Sequence, residues 1–188
     1  AYDGACAVVL GNTTWGFSGP IIIRNNTFEN NRADLNVSQN SYEARILDNI
    51  SRGGQVWFVR AQGWAGPMTS EDLFGSMRMT IARNQIESGT YGLLLGRDDG
   101  IYPYAGIKDL IVRDNLLQVT EEAILLDGDS SQTNRFHVSG NSGSALYTLP
   151  ELVESDYWSG NADGVTYGSP TDVPWSAESF DWEAYDVN

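Results

Sequence analysis

The chain alternates short apolar runs with polar corners, and the runs are too short and too rich in β-branched residues to read as helices. Ile21-Ile22-Ile23, Ala44-Arg45-Ile46-Leu47, Thr80-Ile81-Ala82, Ile111-Val112, Phe136-His137-Val138 and Tyr157-Trp158 each lead within a few residues to an asparagine. Those asparagines are Asn26, Asn49, Asn84, Asn115, Asn141 and Asn161, separated by 23, 35, 31, 26 and 20 residues. A unit recurring at such spacing marks a repeat architecture. A second apolar run follows most of them: Leu35-Asn36-Val37, Gln55 to Val59, Tyr91 to Leu95, and Ala123 to Leu126. Ala7-Val8-Val9-Leu10-Gly11 resembles the second run of a unit that lacks its first half. The predicted unit is therefore strand, short turn, strand, variable loop.

A strand this short cannot bury a face alone. Stacking repeats solves the problem by pairing each strand with its equivalent about 4.8 Å away. Parallel strands around a closed core carry near-continuous apolar runs such as Leu93-Leu94-Leu95. Asparagine at a fixed corner can stack into an amide ladder, and it tolerates the left-handed backbone a sharp corner needs. The 20 glycines serve the other corners. An antiparallel sandwich would place its Asp-Gly turns between matched alternating strands. Here Asp3-Gly4, Asp99-Gly100, Asp127-Gly128 and Asp163-Gly164 follow or interrupt loops instead. Thr120 to Ile124 reads as a turn entering a strand.

The recurring apolar-apolar-x-x-Asn-x-apolar pattern resembles the right-handed parallel β-helix of the pectate-lyase-like superfamily. That group includes polysaccharide lyases, polygalacturonase-type hydrolases, uronan epimerases and phage tailspikes. The resemblance covers residues 5 to about 167 and implies an all-β solenoid of roughly six coils. It also implies a polysaccharide ligand, an extracellular, cell-surface or virion-surface location, and homotrimeric or neighbouring-chain assembly by analogy with spikes. Fold alone carries no chemistry, so function rests on the loops.

Composition narrows the partners. A net charge of −14 opposes binding to nucleic acid or to anionic membranes. It disfavours an anionic ligand unless local arginines or a cation reverse the field. No run of 18 apolar residues offers a membrane-spanning helix. The single cysteine, Cys6, sits in an apolar run and reads as a buried structural thiol. With one histidine, His137, no multi-histidine metal site is available. Alternation with Phe136 and Val138 points it outward. The N-terminal residues have no leader character, so the chain reads as a segment of a longer protein.

The variable loops carry the candidate chemistry. They run from Arg60 to Arg78, from Gly96 to Lys108 and from Asp127 to Arg135, on successive repeats, and so are expected on one side. Arg60, Trp64, Arg97, Tyr102 and Tyr104 are the candidate substrate-binding residues, because aromatic faces and charged donors together suit a sugar groove. Asp98, Asp99 and Asp127 are candidate catalytic carboxylates. The Asn-Thr-Asp, Gly-His-Gly and Arg-Ile-Lys motifs of polygalacturonase-type hydrolases are missing, and a solvated acidic turn is the plainer reading of Asp98-Asp99. Asp127 and Asp129 alternate oxygen ligands as a Ca²⁺ loop does, although the same spacing suits an ordinary acidic turn. Lys108, the sole lysine, stands where a loop re-enters a strand. Three functions fit this pattern: a polysaccharide-recognising module, a polysaccharide lyase or glycoside hydrolase, and a structural spike module. Residues 1–167 form the predicted solenoid. Residues 168–188 form a linker and an acidic aromatic tail with Trp175, Phe180, Trp182 and Tyr185, expected to cap the open solenoid end.

Overall fold

The computed structural model describes residues 6–10, 21–38, 43–62, 78–95, 108–126, 134–144, 147–148 and 157–161. Every described element is a strand. In chain order they are β1 (Cys6–Leu10), β2 (Ile21–Arg24), β3 (Thr27–Glu29), β4 (Ala33–Ser38), β5 (Glu43–Leu47), β6 (Ile50–Gln62), β7 (Arg78–Ala82) and β8 (Gln85–Leu95). They continue with β9 (Lys108–Arg113), β10 (Leu116–Val119), β11 (Ile124–Leu126), β12 (Asn134–Ser139), β13 (Ser142–Gly143), β14 (Tyr147–Thr148) and β15 (Tyr157–Ser159).

All pairings are parallel and fall into two sheets. The six-stranded sheet runs β2, β5, β7, β9, β12, β15, so each strand pairs with its equivalent in the next repeat. The nine-stranded sheet holds everything between those strands, with the path β1, β4, β6, β8, β10, β13 and side pairings to β3, β11 and β14. This is an all-β architecture of parallel sheets, compatible with a β-helix or solenoid.

The repeat contains three strands rather than two. After each asparagine from Asn26 to Asn141 a short middle strand forms (β3, the start of β6, the start of β8, β10, β13), and a third strand follows it. In β6 and β8 the two join in one bent strand whose register shifts around Gly54 and Gly89. The bend has a local cause. Gly53 takes φ +68, and a Cβ there would lie 2.7 Å from Asn30 Oδ1.

Inward positions stack like on like. Ile23, Ile46, Ile81, Val112 and Val138 form one buried row of the six-stranded sheet. Leu35, Val59, Leu93 and Ile124 form the facing row of the nine-stranded sheet, all at 0 % exposure. Phe28 and Phe58 meet edge-on at the corner between middle and third strands. Burying each such side chain contributes about 1.5–3 kcal/mol.

The asparagine ladder is continuous. Asn26, Asn49, Asn84, Asn115 and Asn141 each donate from backbone N–H and from Nδ2 to Oδ1 of the next asparagine, at 2.7–3.1 Å. From Asn49 onward, Nδ2 also donates to a carbonyl of the preceding repeat: Ile23, Ile46, Ile81, Val112 and Val138 in turn. The left-handed backbone expected at the asparagine lies one residue earlier. Asn25, Asp48, Arg83, Asp114, Gly140 and Gly160 carry φ between 54 and 65. That residue turns the chain, leaving the asparagine to aim its amide along the stack.

The Ala7-to-Gly11 run forms β1, which pairs with β4 as a third strand. Cys6 at its start is half-buried rather than fully enclosed, because β1 is an edge strand. The proposed tail, 168–188, lies outside the described residues.

Candidate functional site

The three variable loops share one root line. Third strands end in register at Ala61, Leu95 and Leu126, and first strands begin in register at Glu43 with Arg78 and at Lys108 with Asn134. The segments 39–42, 63–77, 96–107 and 127–133 therefore connect the same edge of one sheet to the same edge of the other. Trp64, Arg97, Asp98, Asp99, Tyr102, Tyr104, Asp127 and Asp129 all lie outside the described residues. Of the expected site residues, Arg60 alone is placed.

Arg60 sits on β6 one residue before that root line. Its neighbours across the sheet are Asn36 on β4 and Leu94 on β8. Strand alternation turns this row away from the core, because Val59 and Ala61 on either side of Arg60 are fully buried inward. Even so, Arg60 is 6 % exposed and Leu94 0 %. Asn36 is half-buried, and its Oδ1 is enclosed without a hydrogen-bond partner. Buried polar atoms without partners are rare and call for an explanation. The recessed Arg60 and the enclosed amide oxygen of Asn36 thus stand on register neighbours of one strand pair.

The outward face of the six-stranded sheet forms a second polar surface. Arg45, Thr80, Ile111 and His137 stand in one register row. The first three are 8 %, 5 % and 2 % exposed, so the row is enclosed although it faces away from the core. His137 is half-buried and points outward as the alternation predicted, with Val138 buried beside it. His137 Nε2 lies 3.0 Å from Ser139 Oγ. Arg113, the register partner of Ser139 on β9, holds Asp114 Oδ2 at 3.5 Å. Burial pushes the His137 imidazole below its ordinary value, the Arg113 charge adds to the effect, and Asp114 opposes it. His137, Ser139 and Arg113 thus form one polar cluster across β9 and β12.

The cations are also unevenly placed. Arg24, Arg45, Arg78, Arg83, Lys108, Arg113 and Arg135 belong to the six-stranded sheet or its corner, against the carboxylates Glu43, Asp48, Asp109 and Asp114. The sequence of these strands and corners thus carries seven cations against four carboxylates, in a chain of net charge −14.

Sequence reasoning missed Asn36 and Asp34. Asp34 is 1 % exposed and accepts hydrogen bonds from Ser51 Oγ at 2.5 Å and Asn31 Nδ2 at 2.9 Å. Burial raises its carboxyl above the ordinary range, and both hydrogen bonds pull it back down. This triad pins the corner between middle and third strands and faces no loop root. Among the described residues no group of three His, Cys, Asp or Glu side chains lies close enough to hold a metal ion.

Comparison with known proteins adds no relative: no family model, no curated protein and no solved structure matches the chain.

Proposed function

We propose that the chain is a right-handed parallel β-helix of six coils, of the pectate-lyase-like type, that recognises polysaccharide as part of an extracellular or virion-surface protein. The ligand lies along the edge from which loops 60–78, 96–108 and 127–135 arise. The observation that carries this reading is the pair Asn36 and Arg60. An amide oxygen enclosed without a partner sits beside a recessed guanidinium, directly at the common root of three variable loops. An unsatisfied buried acceptor costs about 1–3 kcal/mol, and a ligand hydroxyl donating to it recovers that cost.

A glycan array probed with the purified chain, with and without Ca²⁺, tests the reading. The expected result is binding to a restricted set of glycans, weakened about tenfold or more in Asn36→Leu and Arg60→Met. A folded chain that binds no glycan overturns it. Release of reducing or unsaturated ends in the same wells identifies a lyase or hydrolase instead.

A further inference from the structure

We infer that Asn25 is an N-glycosylation site that this fold accommodates, and that Asn49, in an acceptor pattern of the same form, must stay unmodified for the chain to fold. Asn-x-Ser/Thr occurs at Asn12, Asn25, Asn36 and Asn49. Asn12 lies outside the described residues. The modification attaches a bulky, hydrophilic group and so needs a surface position. The co-reactant is an oligosaccharide carried on a lipid diphosphate, brought to the chain by a membrane transferase. The asparagine Nδ2 attacks the anomeric carbon of the sugar. A nitrogen–carbon bond forms, the carbon–oxygen bond to the diphosphate breaks, one amide proton is released, and the lipid diphosphate leaves.

Asn25 meets these demands. Asn25, Asn26 and Thr27 are all exposed, so the whole acceptor pattern lies at the surface. The Asn25 backbone takes φ 58, and its N–H donates to the Leu47 carbonyl at 3.3 Å. Among the described residues nothing bonds its side-chain amide. The next two residues of its corner row, Asp48 and Arg83, are 37 % exposed, so this row turns its side chains toward solvent. The corner follows the first strand, whereas the variable loops enter before it, so a glycan on Asn25 leaves the loop edge clear.

Asn49 fails on each count. It is 0 % exposed, and Nδ2 spends both protons, on the Ile23 carbonyl at 2.9 Å and on Asn84 Oδ1 at 3.0 Å. Its Oδ1 accepts from the backbone N–H and Nδ2 of Asn26. Ser51, which completes the pattern, is 1 % exposed and gives its hydroxyl to Asp34. A sugar on Nδ2 removes one ladder proton and leaves a buried acceptor without its donor. It also needs a volume that a close-packed interior does not hold. The transferase therefore reaches Asn49 only in the unfolded chain, and a chain modified there cannot close the ladder. Asn36 is intermediate, half-buried on β4 with its Oδ1 enclosed, and carries no part of the inference.

The full chain, directed through a glycosylating secretory route by a cleavable leader, tests this. Its result is independent of whether the chain itself binds glycan. Glycopeptide mass spectrometry maps occupancy separately in the secreted, folded fraction and in the retained fraction. The expected map has glycan on Asn25 in the secreted chain and glycan on Asn49 only in retained chains. Thr27→Ala, an exposed change that leaves Asn25 in place, removes the Asn25 glycan, and Thr27→Ser keeps it. Glycan on Asn49 in the folded secreted chain overturns the inference, as does a bare Asn25 in every fraction. Retention of every chain overturns it if an inhibitor of the transferase does not restore secretion, or if Thr27→Ala alone restores it.

Discussion

Arg83 and Asp48 form a two-point ion pair, Nε to Oδ1 at 2.7 Å and Nη2 to Oδ2 at 2.9 Å, and both residues lie in the left-handed corner row. Arginine is an unusual occupant of that backbone region, where glycine, asparagine and aspartate fill the equivalent positions. Both side chains are 37 % exposed, so the pair contributes no more than about 1 kcal/mol. It fixes the geometry more than it stabilises the corner.

Replacing Arg83 separates the two effects. Arg83→Gly removes the pair and the backbone strain together and is expected to change stability by less than about 1 kcal/mol. Arg83→Val loses the pair and adds a β-branched clash at positive φ, and should cost about 2 kcal/mol or more. Urea denaturation of both variants checks this. Equal stability would show that the corner tolerates any residue.

The ladder predicts a gradient along the stack. Asn84 is 1 % exposed, and Asn84→Ala strips acceptors from Asn49 N–H and Nδ2 while both stay buried. A loss of about 3–5 kcal/mol is expected. Asn26 is exposed at the end of the row, and Asn26→Ala should cost about 1 kcal/mol or less at low protein concentration. Thermal melts of the two variants side by side decide it, and similar losses would mean the amides do not act as a ladder.

Much of this was legible in the sequence because both signals are periodic. The asparagines mark the corner, and the apolar runs before and after it mark the strands that bury a row each. The middle strand was not legible as a separate element. Thr27-Phe28-Glu29 points one side chain inward and two outward, too little alternation to stand apart from the corner. The left-handed position was misplaced by one residue, because Arg83 gives no sign of positive φ and the ladder asparagines do. Arg60 was singled out as a loop residue. Its strand position, and the unpaired Asn36 next to it, depend on cross-strand register over 24 residues, which no local pattern encodes. Asn49 illustrates the opposite hazard. Asn49-Ile50-Ser51 reads as a glycosylation sequon, but its amide is buried and fully bonded within the ladder.

Asp34 should make stability depend on pH. Its carboxyl is raised in the folded chain, chiefly by burial. A raised carboxyl contributes stability that is present at acid pH, below its unfolded value, and lost as pH rises through the folded value. Asp34→Asn keeps a polar partner for Ser51 and Asn31 without a buried charge. It should equal or exceed the parent in stability at neutral pH and lose that advantage in acid. Denaturant melts across this range measure the difference, and a constant gap between the two proteins would remove Asp34 as the cause.

His137 carries the opposite sign. Its imidazole is held below the ordinary value, first by burial and then by Arg113. It therefore contributes stability at pH above its unfolded value, lost as pH falls through the folded value. Arg113→Gln should raise the His137 titration midpoint without restoring the ordinary value, because burial remains. An NMR titration of this single histidine reads the midpoint directly, and an unmoved midpoint would show that Arg113 has no electrostatic hold on it.

Asn36 links stability to binding. Asn36→Leu removes an enclosed acceptor that has no partner and should stabilise the free chain by about 1 kcal/mol while weakening glycan binding. A destabilised variant would show that the amide is satisfied in solution.

The most direct test of the stacked parallel architecture is an NMR search for contacts between ladder side chains. The account predicts cross-peaks linking the Nδ2 protons of Asn49 to Asn84, Asn84 to Asn115 and Asn115 to Asn141, with slow exchange of those protons with solvent. Rapidly exchanging amides with no contacts across these separations would contradict it.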